Sequence, residues 1–261
     1  MNWSDGYTRQ ESVALRRIKA DLHVHTCLSP CASLDMSPLG VVQESLRKGL
    51  DLIGVCDHNS AENALAVKRA GKKQGLTVLG GIEVASAEEA HILVFFERDE
   101  DLLRFQDIVY RHLSGTNDEK AFGQQVIADD EDGVTGFCEK LLIGATSLPV
   151  ERIVREARAA SGESLVIAAH VDREAFSLIG QLGFIPPALE LDGVEISEHV
   201  AVGEAKRRFP DCTRFPVITG SDAHGPGDIG KRPTCFIVEE VTIGEIKKAL
   251  AGRDGRKAVC S

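Results

Sequence analysis

At 261 residues, 43% hydrophobic and 27% charged, the chain can bury a sizeable core and falls in the range of one large α/β domain. Its formal charge of -10 argues against broad electrostatic binding to nucleic acid, which relies on a lysine- and arginine-rich footprint. The longest apolar runs are far too short for a membrane span, the N-terminus lacks the apolar core of a secretory signal, and the seven cysteines form no CxxC pair, so a reduced, cytoplasmic protein is expected.

In chain order, β-branched runs recur at IKADLHV, DLIGVC, LTVLGGIEV, HILVFF, SLVIAAH, DGVEIS, FPVITGS and TCFIVEE, giving about eight candidate strands. Between them lie SPLGVVQESLRKGL, AENALAVKRAGKKQG and PVERIVREARAASG, whose apolar residues recur at three- and four-residue intervals and which end near a glycine, as helices do. Strand and helix in alternation predict parallel βαβ units and a closed barrel. Residues 97–163 break the rhythm: a predicted helix, RDEDLLRFQDIVYRHL, precedes the polar, glycine-spaced GTNDEKAFGQQVIADDEDGV and then more helix. This stretch reads as an insertion between two barrel strands of a single domain spanning 1–261. The segment from Glu245 reads as a helix with a frayed tail.

The histidines and carboxylates fall at the ends of these strands. His23 and His25 close the first, two residues apart and therefore on one face. Asp57 and His58 follow the second, Glu83 ends the third, His91 opens HILVFF, His170 ends SLVIAAH, and Asp222 with His224 follows FPVITGS. That rim is where parallel barrels build their active sites. Imidazole and carboxylate together suit zinc, manganese or iron(II) over calcium or magnesium. Cations so held lower the pKa of water and screen charge building on a phosphoryl oxygen, and they allow an acidic protein to accept a phosphorylated substrate. Each motif alone is weak; burying the whole set without metal would cost several kcal/mol in desolvation.

Together DLHVHT, CDHNS, GIEV, AAHVDR and SDAH resemble the PHP family, the polymerase and histidinol phosphatase superfamily, in order and spacing from Asp21 to about Glu240. The resemblance implies a distorted (β/α)7 TIM-like barrel, one of the eight strands lying outside it, with two or three divalent ions in a cleft. It also implies hydrolysis of phosphate esters by a metal-activated hydroxide. By position, His23, His25, Glu83 and Asp222 would surround one metal, His58 and His224 a second, and Glu83, His91 and His170 a third. Asp57 would orient a ligand histidine. One departure stands out: where many members read T-x-x-S-D after the H-x-H pair, this chain has TCLSPC, so Pro30 replaces an aspartate ligand. Cys31, one residue on, is the candidate replacement.

Arg173, Lys231 and Arg232 are placed to clamp a phosphate, Arg173 foremost, because a guanidinium matches phosphate geometry. His112 and His199 read as surface or core histidines, Glu195 and Glu198 as ambiguous pocket residues, and the acidic turn at 129–133 as solvated. The expected substrate is a small phosphorylated metabolite or nucleotide. The alternatives are a nuclease acting on nucleic-acid ends, which the net charge disfavours, and a metal-binding regulatory domain without turnover.

Overall fold

The computed structural model describes residues 14–260. In chain order the elements are β1 (Arg16–Val24), α1 (Pro38–Arg47), β2 (Leu52–Val55), α2 (Ala64–Gln74), β3 (Thr77–Ala85), β4 (His91–Phe96), α3 (Asp99–His112), α4 (Glu119–Phe122), β5 (Val126–Ala128) and β6 (Val134–Phe137). They continue with α5 (Val150–Ala160), β7 (Leu165–Ala168), α6 (Leu178–Leu182), β8 (Gly193–Ile196), α7 (Val202–Arg208), β9 (Val217–Thr219), β10 (Thr234–Val238), α8 (Ile243–Leu250) and β11 (Lys257–Cys260). One sheet runs in the order β11-β10-β1-β2-β3-β4-β7-β8-β9. From β1 to β9 it curls into a nearly closed barrel, whose seam is held by a bridge between Val24 and Ala223 and by Thr234 Oγ1, which donates to Thr219 O at 3.0 Å.

Two expectations of the sequence are corrected here. The barrel is not wholly parallel, because β4 runs antiparallel to both β3 and β7. Only Ser86 to Ala90 separate β3 from β4, too few residues for a crossover, so the chain must fold back as a hairpin. The C-terminal tail is also not frayed helix: after α8 it forms β11, paired antiparallel with β10. β10 is itself antiparallel to β1 and is the strand outside the seven-stranded ring.

Between β4 and β7, α3 and α5 contribute Leu102, Phe105, Ile153 and Val154 to the outer core, against Ile92, Val94 and Phe96 of β4. The alternate residues of β4, Leu93 and Phe95, point into the barrel with Leu22, Ile167 and Ile218. Phe95 fills the interior: a Cβ at Gly54 would stand 2.8 Å from its ring and one at Gly81 only 2.4 Å, so β2 and β3 need glycine there. The polar middle of 97–163, read from the sequence as a glycine-spaced insertion, forms the β5–β6 hairpin. Its acidic turn is used internally, with Asp129 accepting from the Glu131 and Gly133 amides and Asp130 pairing with Arg69 and Lys73 of α2.

Candidate metal centre

The inward parity of β4 carries through to His91, its first residue, and because β4 is antiparallel that residue sits on the rim reached by the C-terminal ends of the other strands. In β1 the pairing with β2 shifts register between Asp21 and Val24. Leu22 therefore packs into the barrel interior while Val24 packs outside, against Ile53 and Val55, and His23 and His25 both turn inward.

These residues converge on Glu83. Its Oε1 lies 2.8 Å from His91 Nδ1, 3.2 Å from His170 Nε2 and 3.3 Å from His23 Nε2; its Oε2 lies 2.9 Å from His58 Nδ1 and 3.4 Å from His25 Nε2. Burial opposes ionisation of Glu83, but the imidazoles of His91, His23 and His58 outweigh it and hold the carboxyl well below its ordinary range. Although fully buried, Oε2 makes no hydrogen bond of proper geometry. A carboxylate oxygen among nitrogen donors, aimed at none of them, fits a cation held between them.

Two further groups show how the donors are aimed. His23 directs Nδ1 to Glu195 Oε2 at 2.8 Å, which leaves Nε2 facing Asp222 Oδ1 at 3.2 Å. His25 directs Nδ1 to Ser29 Oγ at 2.9 Å, and its Nε2 also faces Asp222 Oδ1, at 3.1 Å. Holding one ring nitrogen fixes the tautomer and points the other at the centre. Burial disfavours charge on His23, yet Glu195, Asp222 and Glu83 raise its pKa well above normal, whereas burial and the neighbouring His224 keep His25 well below. His224 donates from Nδ1 to the Asp222 carbonyl at 2.8 Å.

Three overlapping sets of donor atoms lie within 4.8 Å of one another: His23, His25, Glu83 and Asp222; His25, His58 and His224; and His58, Glu83 and His91. The first is the set the resemblance implies. In the second His25 joins His58 and His224, and in the third His58 stands where His170 was expected, with His170 touching Glu83 from the side. Cys31 belongs to none of these sets among the described residues, but it lines the cavity beside His58 and His224. Burial pushes its thiol up, and hydrogen bonds with His224 and His58 bring it down to about 7.

Asp57 does not face the cavity. Its carboxylate is buried and accepts from Thr26 N, Thr26 Oγ1 and Ser29 Oγ, each at 2.7 Å, so it meets His25 through Ser29, whose Oγ lies 2.9 Å from His25 Nδ1. Arg173 does face it, donating from Nη1 to Asp222 Oδ2 at 2.6 Å. Lys231 instead pairs with the exposed Asp228, and Arg232 ties down the carbonyls of Ser197 and Val200. His112 bonds Ser147, away from the centre. Glu195, ambiguous in the sequence, proves central: it holds His23 and accepts from the His170 amide, and Gly220 makes room for it, since a Cβ there would fall 1.9 Å from its Oε1. A glutamate inside an otherwise apolar strand, GVEI, was the available signal.

The cavity above these groups measures about 220 Å³. His170, Phe176 and Asp222, which line it, and Asn59, which follows His58, have left-handed backbones with φ of 27°, 61°, 49° and 50°. Such strain gathers where surrounding structure imposes a functional geometry.

Residues 21–139 match the PHP domain family. This stretch is similar to the PHP domain and holds His23, His25, His58, Glu83 and His91 of the site. Over 95% of its length the chain is 24% identical to the uncharacterized protein YqxK of Bacillus subtilis, of which it spans 65%. Among solved structures, the lesion-specific endonuclease PfuEndoQ from Pyrococcus furiosus superposes with a TM-score of 0.65 at 20% identity, covering 93% of this chain and 58% of that one. An endonuclease Q in complex with a 27-mer duplex substrate carrying an abasic lesion gives 0.63, also at 20% identity, with the same coverage of 93% and 58%. A two-domain protein from Bacteroides vulgatus containing a predicted PHP-like metal-dependent phosphoesterase gives 0.53 at 18% identity, covering 97% of this chain and 69% of that one. At these identities the structures establish a common fold. Among the described residues, no helix is long and apolar enough to cross a membrane.

Proposed function

We propose that this chain is a metal-dependent phosphoesterase that hydrolyses the ester of a small phosphorylated metabolite or nucleotide. The observation that carries this reading is the surrounding of Glu83 by five imidazoles within 3.4 Å, in a cavity that Arg173 also lines. His23, His25, His58, His91, His170, His224, Glu83 and Asp222 would hold two or three divalent ions, of which zinc, manganese and iron(II) suit the donors. Bound there, such ions would acidify water and neutralise charge on the phosphoryl oxygens. Arg173 would leave Asp222 Oδ2 in part to engage a phosphate oxygen, for which its planar donor fork is shaped. Glu195 and Ser29 hold the ring nitrogens that face away from the centre, and Asp57 fixes the loop carrying Ser29.

A second reading, a nuclease, is favoured by the likeness to PfuEndoQ and opposed by the charge of -10, which supplies no basic footprint for a duplex. The test is elemental analysis of purified protein, paired with hydrolysis of an aryl phosphate before and after chelation. Two or three metals per chain and chelator-sensitive turnover are expected, with His25→Ala and Asp222→Ala losing both while remaining folded by circular dichroism. Protein without metal after reconstitution, or full activity in either variant, would refute the centre.

A further inference from the structure

The lips of the cavity carry two apolar side chains that the centre does not use. Phe176 is 49% and Ile143 39% exposed, and both line the cavity with His58, His91, His170, Arg173 and Asp222. A single exposed apolar residue needs no explanation, but two on the mouth of one polar cavity do. Each is also held in place. Phe176 has a left-handed backbone, φ 61°, which a bulky residue adopts only under constraint. Its carbonyl accepts from the His91 amide at 3.0 Å, and its ring stacks on the His91 ring at 5.1 Å and 23°. The following Ser177 locks the turn by donating to Arg173 O and accepting from Gly180 N. Ile143 is fixed by the carbonyls on either side, since Asn59 Nδ2 donates to Leu142 O and Gly144 O, both at 2.8 Å.

We propose that Phe176 and Ile143 form a subsite for the nucleobase of a nucleotide unit whose phosphate lies between Arg173 and the metal-binding residues. The inference rests on the phosphoesterase reading and narrows its substrate class. One segment of chain presents His170 toward the centre, Arg173 toward Asp222 and Phe176 at the lip, in the sequence metal, phosphate, base. One face of the Phe176 ring is covered by His91; the half-exposed ring has a further face to stack on a flat π system, and the branched Ile143 lines the same cavity. Among phosphate esters, nucleotides provide such a face beside the ester, whereas sugar phosphates offer only hydroxyls. Stacking is tolerant of base identity, so the subsite selects for a base without reading which one.

The experiment compares 2′-deoxyadenosine 5′-monophosphate with ribose 5-phosphate on manganese-loaded wild type, Phe176→Ala and Ile143→Ala. Loss of one stacked ring raises KM for the nucleotide roughly 5- to 150-fold in Phe176→Ala, with kcat and the ribose 5-phosphate reaction nearly unchanged. Equal changes on both substrates, or none on either, overturn the subsite. Binding is read separately through the added indole fluorescence of Phe176→Trp, which the nucleotide should quench and ribose 5-phosphate should not. Quenching without hydrolysis of either compound would sink the hydrolase reading and leave the subsite standing; equal quenching by both, or by neither, would overturn the subsite even if both are hydrolysed. A thymidine dinucleotide in the same titration separates the sources, since tighter quenching by it assigns the base to a strand end and tighter quenching by the monophosphate assigns it to a free nucleotide.

Discussion

Glu195 does not itself line the cavity, yet it decides how His23 is aimed. Its Oε2 takes both the His23 ring nitrogen and the His170 amide, while Oε1 has no hydrogen-bond partner and faces the space left by Gly220. Carboxylates behind metal-binding imidazoles raise their basicity, and their loss weakens metal affinity about 10- to 100-fold. Glu195→Gln keeps an acceptor and should sit near the lower bound; Glu195→Ala strands the His23 nitrogen and should sit near the upper. Competition against a metallochromic chelator measures both, and unchanged affinity in Glu195→Ala would remove Glu195 from the account. Cys31 and Asp57 show the same point from the other direction. The type of each residue suggested a role, and only the neighbours, His58 and His224 for one, Thr26 and Ser29 for the other, determine which role it can fill.

At the scale of elements, the rim depends on loops that are pinned by side chains from neighbouring strands. Asn59 is the clearest case: its amide satisfies Leu142 O, Gly144 O and the Ala85 amide from a left-handed backbone that asparagine tolerates better than most residues. Asn59→Ala takes this partner from two buried polar groups and one half-buried one and should destabilise the protein by about 2–4 kcal/mol. It should also accelerate hydrogen exchange in 142–144; unchanged urea unfolding would show that those groups find other partners. Much of this layer was legible in the chain. Ligand-type residues at strand ends located the rim, and the two-residue spacing of His23 and His25 put them on one face. The five-residue link after Ala85 already implied a hairpin, although the strand–helix rhythm suggested a parallel barrel. The β5–β6 hairpin, β11 and the Phe176 turn were not legible, because polar sequence such as GRDGRKAVC forms a strand only when an existing edge, here β10, offers pairing.

On the scale of the whole molecule, the C-terminal strand is fastened by one buried arginine that pairs with two glutamates. Arg256 donates from Nε to Glu245 Oε2 at 2.8 Å and from Nη2 to Glu239 Oε2 at 2.8 Å, joining α8, β10 and β11. The Arg256 guanidinium brings the Glu245 carboxyl down to about 2, with burial opposing it. A carboxyl depressed in the folded state adds stability above its unfolded pKa, near 4.5, and loses that contribution as pH falls toward 2. Arg256→Gln should therefore cost on the order of 1–2 kcal/mol at neutral pH, with the difference from wild type shrinking below about pH 4. Urea unfolding at pH 7 and pH 3 measures it, and a pH-independent difference would contradict the assignment. The Phe95 ring, wedged between the glycines of two adjacent strands, gives the barrel a further property. It stoppers the lumen beneath the histidines and makes the barrel a cup, floored by an aromatic ring and carrying Phe176 and Ile143 on the cavity above.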